Sequence, residues 1–160
     1  MSVAFMKEES AETASETLLP DREISPHPNL VTAAGLKLLE RQLEEARAAY
    51  EEASLVEDVN ERRRQAAIPL RDARYLSERV STAQVIPDPG SAGTVAFGST
   101  VTFARDDGRV QTYRIVGEDE ADPKAGSISF VSPVARALMG KAVGDLATLG
   151  EQELEIVAIA

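Results

Sequence analysis

Two carboxylates near the middle of the chain have the types and spacing that could do metal chemistry. Asp58 and Glu61 lie three residues apart, and the nearby acids are Glu51, Glu52 and Glu57. Carboxylate oxygens are hard ligands of the kind that Mg²⁺ prefers. The same spacing is that of a capping box at the start of a helix, where acidic side chains stabilise the unpaired backbone N–H groups. The spacing by itself favours capping and leaves metal binding open.

Three arginines, Arg62, Arg63 and Arg64, follow these acids directly. Guanidinium groups bind phosphates through paired hydrogen bonds, so they could contact a nucleic-acid backbone. They could equally neutralise the neighbouring carboxylates on a solvent-exposed face. The sequence contains no glycine-rich phosphate loop, HExxH motif or nucleophile elbow, and nothing in it amounts to a self-sufficient active site.

The composition excludes several other kinds of site. The 160 residues include no cysteine and one histidine, His27, which lies in a Pro-His-Pro turn signal and is expected to be an exposed loop residue. A chain without cysteine forms no disulfide and no cysteine-ligated zinc site, and a single histidine argues against a multi-histidine metal site. The net charge of −10 argues against tight, sequence-independent binding to duplex nucleic acid.

Signals for membranes and secretion are missing from the sequence. It has no apolar run of about 20 residues, the length that spans a bilayer. Its first residues lack the basic-then-apolar order of a secretion signal. We therefore expect a soluble, cytoplasmic protein that does not bind membranes.

Two hydrophobic seams with a heptad repeat predict the elements that position the acids and arginines. Small or apolar residues recur at alternating gaps of three and four, which is the a/d pattern of a coiled coil. The first seam is Leu36, Leu39, Leu43, Ala46, Tyr50 and Ala53, and the second is Ala66, Pro69, Ala73, Leu76, Val80 and Ala83. Because neither seam can be buried alone, we predict an antiparallel two-helix coiled coil over residues 31–86. Thr32 is the expected N-cap of its first helix, over residues 33–53.

The bend of this coiled coil decides where the acids lie. Placing leucine opposite leucine centres the bend between Val59 and Asn60 and leaves a turn over residues 54–65. A slip of one heptad would instead move that centre to residue 56 or 63. Pro69 removes a helical hydrogen bond, so it either kinks the second helix or marks the start of its regular part.

We call the predicted coiled coil, residues 31–86, the arm. The segments on either side of it differ from it in composition. Residues 1–30 carry six acidic and two basic residues, and we predict that they are disordered up to Pro28. Residues 87–93 are rich in proline and glycine and indicate a linker. In residues 94–160 we predict strands at 94–105, 110–117, 127–131 and 153–158, a hairpin turn at 106–108, and a short helix at 134–139 between Ser132 and Gly140. The predicted fold class is α+β.

Four stretches of the chain carry motifs that can be compared with those of known families. At the ends of the arm, residues 32–39 begin with Thr-x-x-Gly and residues 81–86 begin with Ser-x-Ala-Gln-Val. In the C-terminal part, the strings Val-Gly-Glu-Asp-Glu-Ala-Asp at 116–122 and Ser-Pro-Val-Ala-Arg-Ala-Leu-Met-Gly at 132–140 are long enough to be specific. These motifs resemble those of the GreA/GreB family of bacterial transcription elongation factors, and the likeness spans about residues 31–160.

This resemblance implies an FKBP-like C-terminal domain with an antiparallel sheet, which binds bacterial RNA polymerase at the rim of its secondary channel. It implies that the coiled coil enters the channel and that two tip acids, here Asp58 and Glu61, help to hold a catalytic Mg²⁺. Such a factor is not an enzyme and has no cofactor of its own: the polymerase supplies the Mg²⁺ and cleaves backtracked nascent RNA. We expect a monomer. The best-matched segments assign polymerase binding to Glu120, Asp122, Ser132 and Pro133.

Three alternatives stay open. Residues 62–65 and Pro69 depart from the family pattern, and the stretch from tip to exit is about a heptad shorter than the common form. Such an arm could occupy the channel and modulate elongation without stimulating cleavage. A coiled-coil protein that dimerises through its arm is a second alternative. An FKBP-type prolyl isomerase is the third, but it needs an aromatic-lined apolar pocket, and the aromatic residues available are Phe97, Phe103, Tyr113 and Phe130.

Overall fold

The described part of the chain, residues 19–91 and 93–160 of a computed structural model, divides into two compact units. One unit consists of residues 19–26 and 39–81, and the other of residues 27–38 and 82–160. The sequence placed the division at a linker, residues 87–93, after an arm of residues 31–86. In the structure, residues 31–38 and 82–86 of that predicted arm belong to the unit that contains the sheet, where Thr32 donates a hydrogen bond to Glu120.

Two long helices follow each other in the chain. Helix α1 is Ala33–Ser54 and helix α2 is Val59–Thr82. The side-chain oxygen of Thr32 accepts a 2.9 Å hydrogen bond from the Gly35 N–H, which confirms Thr32 as the N-cap of α1. Leu39 and Leu43 on α1 and Leu76 on α2 are buried, as the predicted seams require.

Two short strands show that the helices run antiparallel. Strand β1, Leu30–Val31, leads into α1, and strand β2, Gln84–Val85, follows α2. The two strands pair in parallel, with Leu30 opposite Gln84 and Val31 opposite Val85. The start of α1 therefore lies beside the end of α2, and the predicted antiparallel arrangement is confirmed.

The bend between the helices lies closer to the N-terminus than predicted. Residues 55–58 connect α1 to α2, so the midpoint falls between Val56 and Glu57 and not between Val59 and Asn60. The predicted turn over residues 54–65 is wrong, and the observed midpoint agrees with the one-heptad slip to residue 56. The cap explains the shift: Glu61 N–H donates to Asp58 Oδ2 at 3.2 Å, so α2 begins directly after Asp58. Pro69 lies inside α2, and the alternative that the regular helix starts there is also wrong.

The C-terminal sheet has five strands in the order β5-β4-β3-β7-β6. The strands are β3 Thr100–Arg105, β4 Val110–Val116, β5 Ser127–Ser129, β6 Leu146–Leu149 and β7 Gln152–Ile159. All neighbours are antiparallel except β4 and β5, which are parallel. The prediction of a purely antiparallel sheet is corrected at this pair, where residues 117–126, including a 3₁₀ turn at Pro123–Ala125, bring the chain back beside Arg114 in the C-terminal half of β4. Residues 94–99 of the predicted first strand lie outside β3, and β6 was not predicted.

A short helix covers the core on one face of this sheet. Helix α3, Pro133–Leu138, is capped by Ser132, whose side-chain oxygen accepts a 3.3 Å hydrogen bond from the Ala135 N–H. Leu138 packs into the core with Phe103, Ile115 and Leu154, all of them fully buried. The predicted short helix is thus confirmed with bounds one residue earlier.

The hairpin between β3 and β4 turns as predicted. Gly108 takes a φ of +86°, a conformation that favours glycine, and its N–H donates to the carbonyl of Arg105 at 2.9 Å. In the same turn, the backbone N–H and the guanidinium of Arg109 hold the pKa of Asp107 below its ordinary value. The Asp106-Asp107-Gly108 sequence therefore predicted the turn correctly, because the turn depends on the local backbone geometry of these residues.

The segment before β1 has defined partners on α2. Arg22 pairs with Asp72 at 3.3 Å and stacks over the ring of Tyr75 at 3.8 Å, and Asp21 pairs with Arg74 at 3.5 Å. The sequence predicted disorder up to Pro28, and these contacts differ from that prediction. The remainder of the predicted tail, residues 1–18, lies outside the described residues. Among residues 19–91 and 93–160, no helix has the length and hydrophobicity of a membrane span.

Candidate functional site

The two predicted tip acids both lie at the start of α2, where the bend ends. Asp58 is exposed, and its Oδ2 caps the helix by accepting from the Glu61 N–H. The Glu61 carboxylate is occupied within its own helix: Gln65 donates to Oε1 at 3.0 Å, and Arg64 pairs with Oε2 at 3.5 Å. Glu61 does not reach back to the Asp58 N–H in the way that a full capping box requires. Both acids are thus at the tip, and each already has a partner in this chain.

The three arginines have different roles in the structure. Arg62 donates to the carbonyl of Val56 at 3.3 Å and so closes the bend. Arg64 pairs with Glu61, which matches the neutralising interpretation. Arg63 is exposed and has no hydrogen-bond or ion-pair partner among residues 19–91 and 93–160. Of the three, Arg63 is therefore the guanidinium that is free to bind a phosphate.

The bend also presents an apolar side chain that the sequence interpretation missed. Leu55 is 81% exposed, the largest exposure among the large hydrophobic residues of the described chain. It belongs to neither heptad seam, and its neighbours Glu51, Glu52, Glu57 and Asp58 are acidic and exposed. A leucine off the seam and bracketed by acids was a usable signal in the sequence.

Glu120, which the resemblance assigns to polymerase binding, is engaged inside its own unit. Thr32 donates a 2.6 Å hydrogen bond to Glu120 Oε2. A Cβ on residue 35 would lie 2.6 Å from the same oxygen, so Gly35 is required for the carboxylate to approach. The carboxylate sits at the positive end of α1 and completes the cap there.

The other three residues of that assignment lie near β5. Asp122 is exposed and makes no capping hydrogen bond with its side chain, although its backbone N–H donates to Ser127 Oγ at 2.9 Å. Ser132 caps α3, and Pro133 is the exposed first residue of that helix. The exposed side chains available to a partner are thus Asp122 and Pro133, whereas Glu120 and Ser132 have structural partners.

A metal site made by this chain alone is not found in the described ranges. No group of three or more His, Cys, Asp or Glu side chains there could hold a metal ion. Asp58 and Glu61 offer the hard oxygen ligands that suit Mg²⁺, but two side chains leave most of its coordination to other groups. Two carboxylates alone therefore do not make a magnesium site.

Comparison with known proteins identifies the family. A family model described as "Transcription elongation factor, GreA/GreB, C-term" matches residues 90–160. Transcription elongation factor GreA of Alkalilimnicola ehrlichii is 50% identical over 92 residues, which cover 52% of this chain and 58% of the relative. Transcription elongation factor GreB of Haemophilus ducreyi is 37% identical over 133 residues, which cover 73% of this chain and 82% of the relative. The chain belongs to the GreA/GreB family.

A further GreA relative and a solved structure are also similar to this chain. A GreA of Ralstonia nicotianae is 44% identical over 91 residues, and this chain again spans only 58% of that relative's length. Among solved structures, GreA factor homolog 1 (Gfh1) of Thermus thermophilus is 27% identical with a TM-score of 0.39, covering 84% of this chain and 99% of that one. The family model itself matches residues 90–160, which lie within the C-terminal sheet unit.

The aromatic residues of this GreA/GreB chain pack on one another in the sheet unit. Phe97 and Phe130 meet edge to face at 5.6 Å between ring centroids, and Phe103 stacks with Tyr113 at 6.1 Å. Phe97 and Phe103 are buried. These rings fill a core, which gives no support to the prolyl isomerase alternative.

Proposed function

We propose that this protein is a transcription elongation factor that binds bacterial RNA polymerase at its secondary channel. The observation that carries this proposal is the match to the GreB of Haemophilus ducreyi. That match covers 73% of this chain, so it extends beyond the C-terminal segment at residues 90–160, and it accounts for 82% of the relative. A chain with both the helical hairpin and the sheet unit of the family is expected to share the family's partner.

The tip acids are the part of the chain suited to act on the polymerase's chemistry. Asp58 and Glu61 lie at the bend and carry carboxylate oxygens suited to Mg²⁺. In this proposal the polymerase supplies the Mg²⁺ and the remaining ligands, and it cleaves the backtracked nascent RNA itself. This chain orients the two carboxylates through the first turn of α2, and Arg63 supplies a free guanidinium for an RNA phosphate.

A second candidate is occupancy of the channel without stimulated cleavage. The observation that favours it is the state of Glu61, because both carboxylate oxygens already have partners in Gln65 and Arg64. For Glu61 to reach a metal, those two contacts must open. In this candidate the acids serve α2, and the arm acts by its presence.

Docking is assigned to the segment around β5. Asp122 and Pro133 are exposed there, and both lie within residues 90–160, which the family model matches. The protein acts in this proposal as a monomer in the cytoplasm, where the polymerase is.

Binding of the full chain to purified bacterial RNA polymerase tests the proposal. A labelled protein should bind elongation complexes at low salt, and the double variant Asp122→Ala, Pro133→Ala should bind at least about tenfold more weakly. Glu151→Ala in the turn between β6 and β7 is a matched control, since Glu151 is exposed and makes no hydrogen bond or ion pair with its side chain among residues 19–91 and 93–160. Absence of binding by the unaltered protein would overturn the proposed function.

A further inference from the structure

The bend between α1 and α2 exposes an apolar side chain at a fixed position. Leu55 is 81% exposed and Val59, four residues later, is 47% exposed. Single exposed apolar side chains are ordinary on protein surfaces, and the position of Leu55 at the bend distinguishes it from the others. The side chains beside this leucine indicate what kind of surface would bury it.

Hydrogen bonds on both sides of Leu55 hold its backbone in place. The Leu55 N–H donates to the carbonyl of Glu52 at 3.2 Å, and the Val56 N–H donates to that of Ala53 at 3.2 Å. The carbonyl of Val56 accepts from the guanidinium of Arg62 at 3.3 Å. The exposure of Leu55 is therefore a feature of a closed bend, and a partner that buries this side chain has little backbone left to order.

The charges around Leu55 indicate the chemistry of that partner. Residues 50–59 contain four acidic side chains and no basic one, and of the arginines that follow, Arg62 donates to the Val56 carbonyl and Arg64 pairs with Glu61. The four acids, Glu51, Glu52, Glu57 and Asp58, are all exposed. An acidic collar around an apolar tip is complementary to an apolar pocket with a rim of lysine or arginine side chains.

We infer that Leu55 is an anchor side chain, which enters an apolar pocket with a basic rim on the RNA polymerase. This inference rests on the proposed function, since it names the contact made by the same tip. It adds a binding residue that is distinct from the acids Asp58 and Glu61. The anchor fixes the depth and the direction of the bend, and the collar aligns it.

Measurement of affinity for elongation complexes tests the anchor. Leu55→Ala removes most of the side chain, and binding of the full-length protein should weaken about tenfold. Leu55→Met keeps an apolar side chain of similar size and should bind within about threefold of the unaltered protein. Ile68→Ala is the matched control, because Ile68 is 54% exposed on α2 but lies outside the bend. Its affinity should stay within about twofold of the unaltered protein.

The outcomes separate this inference from the proposed function. If the unaltered protein binds and Leu55→Ala binds equally well, the anchor is wrong and the proposed function stands. If Leu55→Ala and Ile68→Ala lose affinity equally, the tip has no special contact and the anchor is again wrong. If the unaltered protein does not bind at all, the proposed function fails first.

Two further measurements test whether the polymerase is the partner that covers Leu55. Glu57→Gln should lower the affinity at least about twofold at low salt and reduce its salt dependence, because one charge of the collar is lost. An unchanged affinity and salt dependence would overturn the basic rim. Sedimentation of the protein alone should show a monomer, and a dimer that Leu55→Ala dissolves would show that a second copy, not the polymerase, covers the leucine.

Discussion

The hydroxyl of Thr32 donates a 2.6 Å hydrogen bond to the carboxylate of Glu120, which lies 88 residues later in the chain. The hydroxyl oxygen of Thr32 also accepts a 2.9 Å hydrogen bond from the Gly35 N–H. One side chain thus caps α1 and ties the cap to the loop that follows β4. Because the acceptor is a carboxylate group and the contact is half-buried, we expect this bond to be stronger than a neutral surface hydrogen bond.

Glu120→Ala should therefore destabilise the protein. The change leaves the Thr32 hydroxyl without its acceptor, and we expect a loss of about 1–3 kcal/mol in the free energy of unfolding. Asp122→Ala is the control, because Asp122 belongs to the same motif but is exposed and caps nothing with its side chain. Urea unfolding followed by circular dichroism measures both. Equal stability of the two variants would show that the hydrogen bond between Thr32 and Glu120 does not stabilise the fold.

Gly117→Ala should be destabilising for a steric reason. A Cβ on residue 117 would clash with the carbonyl oxygen of Leu30, which is backbone and cannot rotate away. We expect a cost of about 1–3 kcal/mol, since β1 or the end of β4 must shift. Gly93→Ala is the control, because a Cβ there meets no atom within 4 Å. Thermal unfolding compares the two, and a Gly117→Ala protein as stable as Gly93→Ala would show that β1 moves freely.

Arg22→Ala should weaken the contact between the segment before β1 and α2. The guanidinium pairs with Asp72 and lies 3.8 Å from the centroid of the Tyr75 ring. Since the Arg22 side chain is 41% exposed, solvent screens the ion pair and we expect a loss of only about 0.5–1 kcal/mol. Arg41→Ala, which breaks an exposed pair with Glu45, should cost less. Chemical denaturation of both variants gives the comparison, and an equal cost would remove any special role for Arg22.

Local signals in the sequence were sufficient for the elements that depend on local geometry. Thr32 and Ser132 cap their helices, and Gly108 turns the β3–β4 hairpin, because each acts on a backbone only a few residues away. The heptad seams likewise predicted two antiparallel helices. The choice among heptad registers failed because a repeat fits its partner equally well after a slip of seven residues, and the Asp58 cap decided between them.

Contacts between distant residues were beyond the reach of the sequence patterns. The sequence around Glu120 does not indicate that Thr32 is its hydrogen-bond partner, because no periodicity links residues 88 positions apart. The parallel pairing of β4 with β5 and the four-residue strand β6 are set by the packing of the sheet and carry too short a pattern to detect. At the candidate site, the positions of Asp58 and Glu61 at the tip were predictable, whereas their partners were not.

Asp58→Asn tests whether the Asp58 carboxylate helps to hold Mg²⁺ or acts only as a helix cap. Asparagine caps a helix about as well as aspartate, so α2 should keep its stability within about 0.5 kcal/mol. The negative charge is lost, and a carboxylate that helps to hold Mg²⁺ should then fail. We expect cleavage of RNA in backtracked elongation complexes to fall at least about tenfold at saturating protein, measured from the rate of transcript shortening.

Two companion variants make this result interpretable. Asp58→Ala removes both the charge and the cap, so it should lose cleavage and also about 1 kcal/mol of stability. Glu57→Gln removes a neighbouring exposed charge, and at saturating protein it should cleave like the unaltered chain because Glu57 is not one of the two tip acids of the motif. If Asp58→Asn cleaves as fast as the unaltered protein, the carboxylate acts only as a cap. The arm then works by occupying the channel, as the partners of Glu61 already favour.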